Sequence, residues 1–223
     1  MFAPVPQTYP EGQGWIDPLS YPELTKLETG WTTVRDELSA IVNAQAPWLR
    51  FTDDDSVAKL SARSQEEVAG IIRQALVPLT DSTPHKLFPL IRERELFAAN
   101  ASLCPETVAV LKSIPALFNA AFAALEPNGH IARHQGSSDR LDRCHLGLKI
   151  PAGDAKLKVG ERARSWQEGA LMLFDDRTSH EAWNYTTERR FVLIVDLEKA
   201  LAHDRRPMNE ETFDYELGQR SYG

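Results

Sequence analysis

The sequence predicts a mainly β protein with flanking helices, in which a double-stranded β-helix of jelly-roll, cupin-like form makes the core. Three observations carry this. After Pro115 the apolar residues fall into short continuous runs or alternate with period two, and Gly, Asp, Ser, Thr or Asn bound each run. Before Pro115 the apolar spacing is mostly helical. The chemistry-bearing residues His130, His134, His145, His180 and Arg190 all fall in the β-patterned part, between Asn128 and Asp196.

At 223 residues the chain is long enough for one domain with a sizeable core. We divide that domain, 1–223, into an extended arm (1–30), a helical support (31–115), the β-helix core (116–200) and a tail (201–223). The arm is rich in Pro and Gly, with Trp15 and Tyr21 as anchors on the body. Trp31, Val34, Leu38, Ile41 and Val42 recur at helical spacing until Pro47. Ser64 and Glu67 form a capping box ahead of a second stripe, Val68 to Leu76, stopped by Pro78. A third helix opens at Pro105 and Glu106 and presents Val108, Leu111 and Ile114. Between them a strand over 86–91 is expected at a sheet edge, because Pro89 removes a ladder donor.

Eight strands then follow, over 116–125, 130–134, 143–150, 156–159, 162–166, 171–174, 180–185 and 191–196. Pro127-Asn128-Gly129 and Pro151-Ala152-Gly153 supply turns. In 143–150, Leu146, Leu148 and Ile150 share one face, and Arg143, His145 and Gly147 the other. From Ala202 the chain is polar and reads as a surface helix or partly ordered tail.

The balance of charge narrows the partners. A net charge of −7 does not suit a nucleic-acid binder, which needs a basic face. No apolar run reaches a membrane span and the N-terminus lacks signal-peptide character, so no membrane partner is expected. Cys104 and Cys144 make no disulfide framework and read as free thiols in a reducing cytoplasm.

His134 and His180 lie far apart in sequence, each beside a turn, on strands that face each other in a jelly roll. Two imidazoles there suit a borderline metal such as Fe(II). The usual carboxylate ligand two residues after the first His is replaced by Gly136. The site therefore uses two His and water, or Asp139, Asp175 or Asp176 substitutes, or no iron binds. His130 shares the strand face of His134, but four strand residues span about 13 Å, too far for one ion. Arg190 opens the buried-looking run Phe191-Val192-Leu193-Ile194-Val195 and needs an anion. That anion is either a bound carboxylate or a neighbour such as Glu188 or Asp196. Arg143 and His145 are placed to clamp a second carboxylate.

Taken together, His134-x-Gly136, Arg143-x-His145 running to Pro151, Trp166-x-Glu168-Gly169, Phe174-Asp175-Asp176, His180-x-x-Trp183 and Arg190 with Asp196 resemble the aspartyl/asparaginyl β-hydroxylase family. The resemblance covers about residues 100–200. It implies a double-stranded β-helix and a dioxygenase using Fe(II), 2-oxoglutarate and O2. It assigns His134 and His180 to the metal, Arg190 to the distal carboxylate of 2-oxoglutarate, and Arg143 and His145 to the other end of the cosubstrate or to the substrate. The implied reaction hydroxylates an unactivated C–H, expected at the β-carbon of an aspartate- or asparagine-like or other amino-acid-derived small molecule, free or carrier-bound. Three positions depart from the family pattern: Ala123 stands for a Ser, His85-Lys86 for a Trp-Lys pair, and Leu141 for an Arg. Two alternatives stand beside this reading: a halogenase using the open site at Gly136, and a non-catalytic jelly-roll binding module.

Overall fold

The structure is a computed structural model that describes residues 14–50 and 75–208. The capping box at Ser64 and Glu67, most of the helix it opens, and the ends of the arm and tail lie outside the described residues. In chain order the elements are β1 (Trp15–Ile16), α1 (Thr25–Thr29), α2 (Trp31–Asn43), β2 (Trp48–Arg50), β3 (Leu76–Val77), β4 (His85–Arg92), β5 (Glu95–Leu96), α3 (Ala98–Ala101) and α4 (Pro105–Lys112). Then come β6 (Leu117–Leu125), β7 (Gly129–His134), β8 (Leu141–Lys149), β9 (Ala155–Val159), β10 (Arg162–Ser165), β11 (Leu171–Asp175), β12 (His180–Asn184) and β13 (Arg190–Glu198).

The strands form two antiparallel sheets. The larger runs β1-β11-β8-β13-β6-β4-β2-β3, with β5 on the end of β4; the smaller runs β10-β9-β12-β7. This is the double-stranded β-helix that the strand pattern predicted. The region read as helical support also contributes β2 to β5 to the larger sheet.

Period-two patterning decides what each face of the larger sheet meets. On β13, Leu193, Val195 and Leu197 belong to the core shared with the helices, beside Val34, Leu38 and Leu111. Val192 from the opposite face joins Leu157, Trp166, Phe174 and Ala182 between the sheets. The larger sheet is thus covered on both sides, which is why β13 reads as a continuous apolar run rather than an alternating one. Arg190 and Asp196 belong to the same inward set as Val192, since residues two apart share a face.

The edge expectation for the strand at Pro89 is corrected. β4 lies inside the sheet, with β6 on one side and β2 and β5 on the other. Proline is accommodated because, among the described residues, β2 pairs at Lys86 and Leu87 and β5 from Ile91 onward, and a register shift falls between Pro89 and Ile91. Trp15 and Tyr21 are anchors as expected, both buried, though Trp15 lies in a strand rather than an arm. The start of the tail, too, is tied down rather than loose. Arg205 grips the fully buried Asp142 through two bonds of 2.8 Å, and Tyr21 Oη donates to the same carboxylate at 2.9 Å. Asp142→Ala leaves the Arg205 guanidinium without this partner and is expected to cost about 3–5 kcal/mol, read by urea unfolding.

Candidate active site

His134 and His180 are cross-strand neighbours on β7 and β12, with ring centroids 4.2 Å apart. The register shifts between His180 and Ala182, so that His134 pairs with His180 but Ile131 with Ala182. One extra residue on β7 flips the side-chain parity. His130, expected on the same face as His134, instead pairs with Glu181 and meets Tyr185, away from the cavity that His134 and Ile131 line.

Both rings are oriented the same way. His134 Nδ1 lies 2.8 Å from Ala132 O, and His180 Nδ1 lies 2.8 Å from Thr178 O. A carbonyl only accepts, so Nδ1 carries the proton and the Nε2 lone pair is left for a ligand. Burial and the neighbouring His134 pull His180 down to about 3, which keeps it neutral. Two imidazoles at this separation suit one metal ion bonded at about 2.0–2.1 Å.

Among the described residues no third His, Cys, Asp or Glu completes a metal-binding group with them. One carboxylate comes near: Asp176 Oδ1 lies 3.7 Å from His180 Nε2 and 3.0 Å from Arg143 Nη1. It also explains Gly136. A Cβ at position 136 would lie 1.7 Å from Asp176 Oδ2, so the space where a side chain at that position would begin is filled by Asp176 itself. Of the other carboxylates weighed as substitutes, Asp139 is exposed and Asp175 is held by Lys199 and Arg205.

Arg190 is the most unusual charge in the molecule. Its side chain is buried, it stacks on Trp166 with Cζ 4.4 Å from the ring centroid, and its Nε and Nη1 have no hydrogen-bond partner. Burial pulls the guanidinium down to about 9, so it is still a cation at neutral pH. Of the neighbours considered for it, Glu188 is exposed, and Asp196 is taken by Arg143 at 2.7 and 3.2 Å and by Asn119 at 2.9 Å. An isolated buried cation is costly, and an anion reaching it through the cavity would offset that cost.

His145 stands beside the same indole. Trp166 Nε1 donates to His145 Nδ1 at 3.3 Å, which fixes the proton on Nε2, and that atom is buried with no partner. Gly147 makes this arrangement possible. A Cβ there would lie 2.0 Å from Gln167 O, so only glycine lets the segment carrying Trp166 cross β8 so closely. Arg143, by contrast, has its charge met within the chain by Asp196 and Asp176.

His85 and His145 are both buried in the cavity wall. Burial, and then Arg190, pull His85 down to about 3 and His145 well below the ordinary value of 6.5. Below 6.5 the unfolded chain takes up protons that the folded chain refuses. Stability is therefore intact above that pH and falls as pH drops towards the folded values, by about 1.4 kcal/mol per pH unit for each group. Urea unfolding between neutral pH and about pH 5 is expected to show this slope, and His85→Gln to flatten it by one group's share.

The four histidines and Arg190 line one cavity of about 410 Å³, a size suited to a small molecule. Much of its wall is apolar, including Leu87, Pro89, Ile91, Ala121, Ile131 and Ile194. Leu141 also lines it. Sequence reasoning did not single out Asn119 or Arg92. The alternation Asn119-x-Ala121-x-Ala123 in β6 carried a signal for the first; nothing local pointed to the second.

The family model described as Aspartyl/Asparaginyl beta-hydroxylase matches residues 28–200. An ornithine lipid ester-linked acyl 2-hydroxylase of Rhizobium tropici is 31% identical over 86% of this chain and 63% of its own length. The aspartyl/asparaginyl beta-hydroxylase of Homo sapiens is 27% identical over 84% of this chain and 23% of its own. The chain thus spans under two thirds of the first relative and about a quarter of the second. Among solved structures, a cupin domain of an XRE family transcriptional regulator from Enterobacter cloacae covers 51% of this chain and 96% of that one, at 11% identity and TM-score 0.37. The Schizosaccharomyces pombe Cnp3 cupin domain covers 56% and 78%, at 10% identity and TM-score 0.37. The fold rests on the strand order above rather than on these partial overlaps.

Proposed function

Since the chain belongs to the aspartyl/asparaginyl β-hydroxylase family, we propose that it is an Fe(II)/2-oxoglutarate-dependent hydroxylase acting on an unactivated C–H of a small molecule with an aliphatic segment. The observation that carries this is the buried Arg190 guanidinium, lacking a partner at Nε and Nη1, in the same cavity as the paired His134 and His180.

His134 and His180 would hold the iron through Nε2, and Arg190 would hold the distal carboxylate of 2-oxoglutarate. When bound, iron and 2-oxoglutarate supply O2 activation, converting C–H to C–OH while the cosubstrate is decarboxylated to succinate and CO2. The chain's own residues do the positioning. Carbonyls of Ala132 and Thr178 fix both ligating rings. His145 stays neutral and offers Nε2–H as a donor to the cosubstrate. Arg143 holds Asp176 beside His180 and is itself oriented by Asp196. Ala123 carries no hydroxyl, which leaves the anion to Arg190 and His145.

The substrate expectation shifts with the cavity wall. An aspartate-like molecule wants more than one cation beyond those used by the cosubstrate, yet Arg143 is neutralised and Leu141 stands where the family resemblance expects an arginine, which leaves only Arg92 among the described residues of the cavity. The apolar wall suits an aliphatic chain, in an acyl group or an amino-acid-derived molecule. Anaerobic absorption of the protein with Fe(II) and 2-oxoglutarate tests the cofactor half. A weak visible charge-transfer band is expected, and its absence at saturating cosubstrate overturns the reading. Succinate production stimulated by acyl compounds but not by free aspartate tests the substrate half; the reverse order returns it to amino acids.

A further inference from the structure

We infer that Arg92 determines substrate specificity: it receives an anionic group, a carboxylate or a phosphate, at the end of the aliphatic substrate. This rests on the hydroxylase reading for the identity of the cosubstrate, but the anion position itself stands on the geometry.

Among the described residues three guanidinium groups line the cavity: Arg190, Arg143 and Arg92. Arg190 is assigned to the cosubstrate, and Arg143 is already paired with two carboxylates. Arg92 is neither. Its Nε is enclosed and has no partner. Among the described residues it pairs with its sequence neighbour Glu93, at 3.4 Å, whose side chain is 53% exposed. A charge-assisted bond is normally about 2.7–2.9 Å, so this is a weak and displaceable contact.

The backbone holds Arg92 at the end of β4 through a tight turn. Glu93 and Arg94 make the β4–β5 turn with φ of 49° and 69°, the left-handed region that residues other than glycine avoid. The turn is held in place by Glu93 N–H donating to Asn119 Oδ1 at 2.8 Å, by Arg94 N–H donating to Phe118 O at 2.9 Å, and by the Arg94–Glu198 ion pair. Left-handed φ at both central residues is what a two-residue hairpin requires, so this turn fixes the end of β4 that carries Arg92.

Register separates the two anion positions. Arg190 pairs with Leu125, while Asp196, six residues on, pairs with Asn119, and Ile91 pairs with Ala120. Six strand residues span about 20 Å, so Arg92 and Arg190 lie towards opposite ends of β6. Ile91, Pro89 and Ala121 lie between them and give an apolar path. A molecule anchored at Arg92 therefore runs along this path towards the metal pair without competing for Arg190.

Octanoate, octyl phosphate and 1-octanol are the probes, titrated calorimetrically and without O2 into the protein loaded with Fe(II) and 2-oxoglutarate. The two anions are expected to bind about tenfold or more tightly than the alcohol. Arg92→Gln is expected to erase that preference while leaving the alcohol unchanged, Arg92→Lys to keep part of it, and Glu93→Gln to strengthen it. Equal binding of anions and alcohol to the native protein, or equal weakening of all three by Arg92→Gln, overturns the proposal. The stronger of the two anions identifies the headgroup chemistry. Failure of the hydroxylase reading is separately visible as a missing charge-transfer band. In that case the anion preference, and its loss in Arg92→Gln, must persist in the metal-free protein, and its absence there overturns the assignment of Arg92.

Discussion

Arg190→Met is expected to make the protein more stable and unable to bind 2-oxoglutarate. The two effects share one cause. The native chain buries a guanidinium whose Nε and Nη1 meet no acceptor. Replacing a buried charge by an apolar side chain of similar length stabilises by roughly 1–4 kcal/mol where the charge was not offset. Methionine can still lie on Trp166, so the packing survives. Differential scanning calorimetry of the ligand-free protein should show a raised midpoint, and the iron–cosubstrate band should be lost. Saturating 2-oxoglutarate should in turn raise the midpoint of the native protein and not of the variant. A variant that is destabilised and still forms the band would mean that Arg190 has a structural partner and no ligand.

If the pair of imidazoles holds iron as proposed, His180→Ala reduces 2-oxoglutarate turnover to the level measured without iron, because a single imidazole of the pair then remains. Asp176→Asn provides the contrast. Asp176 sits beside His180 and is gripped by Arg143, so its loss should disturb the site without dismantling it. Outer partners of metal ligands typically contribute 10- to 100-fold in affinity or activity, and that is the drop expected. Metal content and succinate formation, measured on both variants, separate the roles. Equal loss in both would make Asp176 a ligand in its own right, and full activity in His180→Ala would sink the iron assignment.

Asp176 fills the space where a side chain at position 136 would begin, so Gly136 is required by the position of the carboxylate rather than by backbone conformation. The same packing logic recurs at Gly147, where the strand lets the Trp166 segment pass. Each glycine marks a place where two elements approach too closely for a Cβ.

Much of this was legible in the sequence. Period-two runs and turn residues gave the strands from Leu117 to Glu198 with small errors at their ends, and helical spacing gave α2 and α4. The alternation in β8 correctly put Arg143 and His145 on the cavity side. These features are local: they depend on side-chain order along one strand or helix, which the sequence states directly. The tertiary structure decided the rest. It separated His130 from His134, because a register shift between β7 and β12 changes parity and no single strand reveals that. It placed Pro89 inside the sheet, because the neighbours of β4 leave a gap there. It matched Asp196 to Arg143 and left Arg190 open, because strand pairing brings Asp196 opposite Arg143 across two strands far apart in sequence. Charge composition was written in the chain from the start. Which charges neutralise one another, and which are left to meet a ligand, was fixed only when the strands paired.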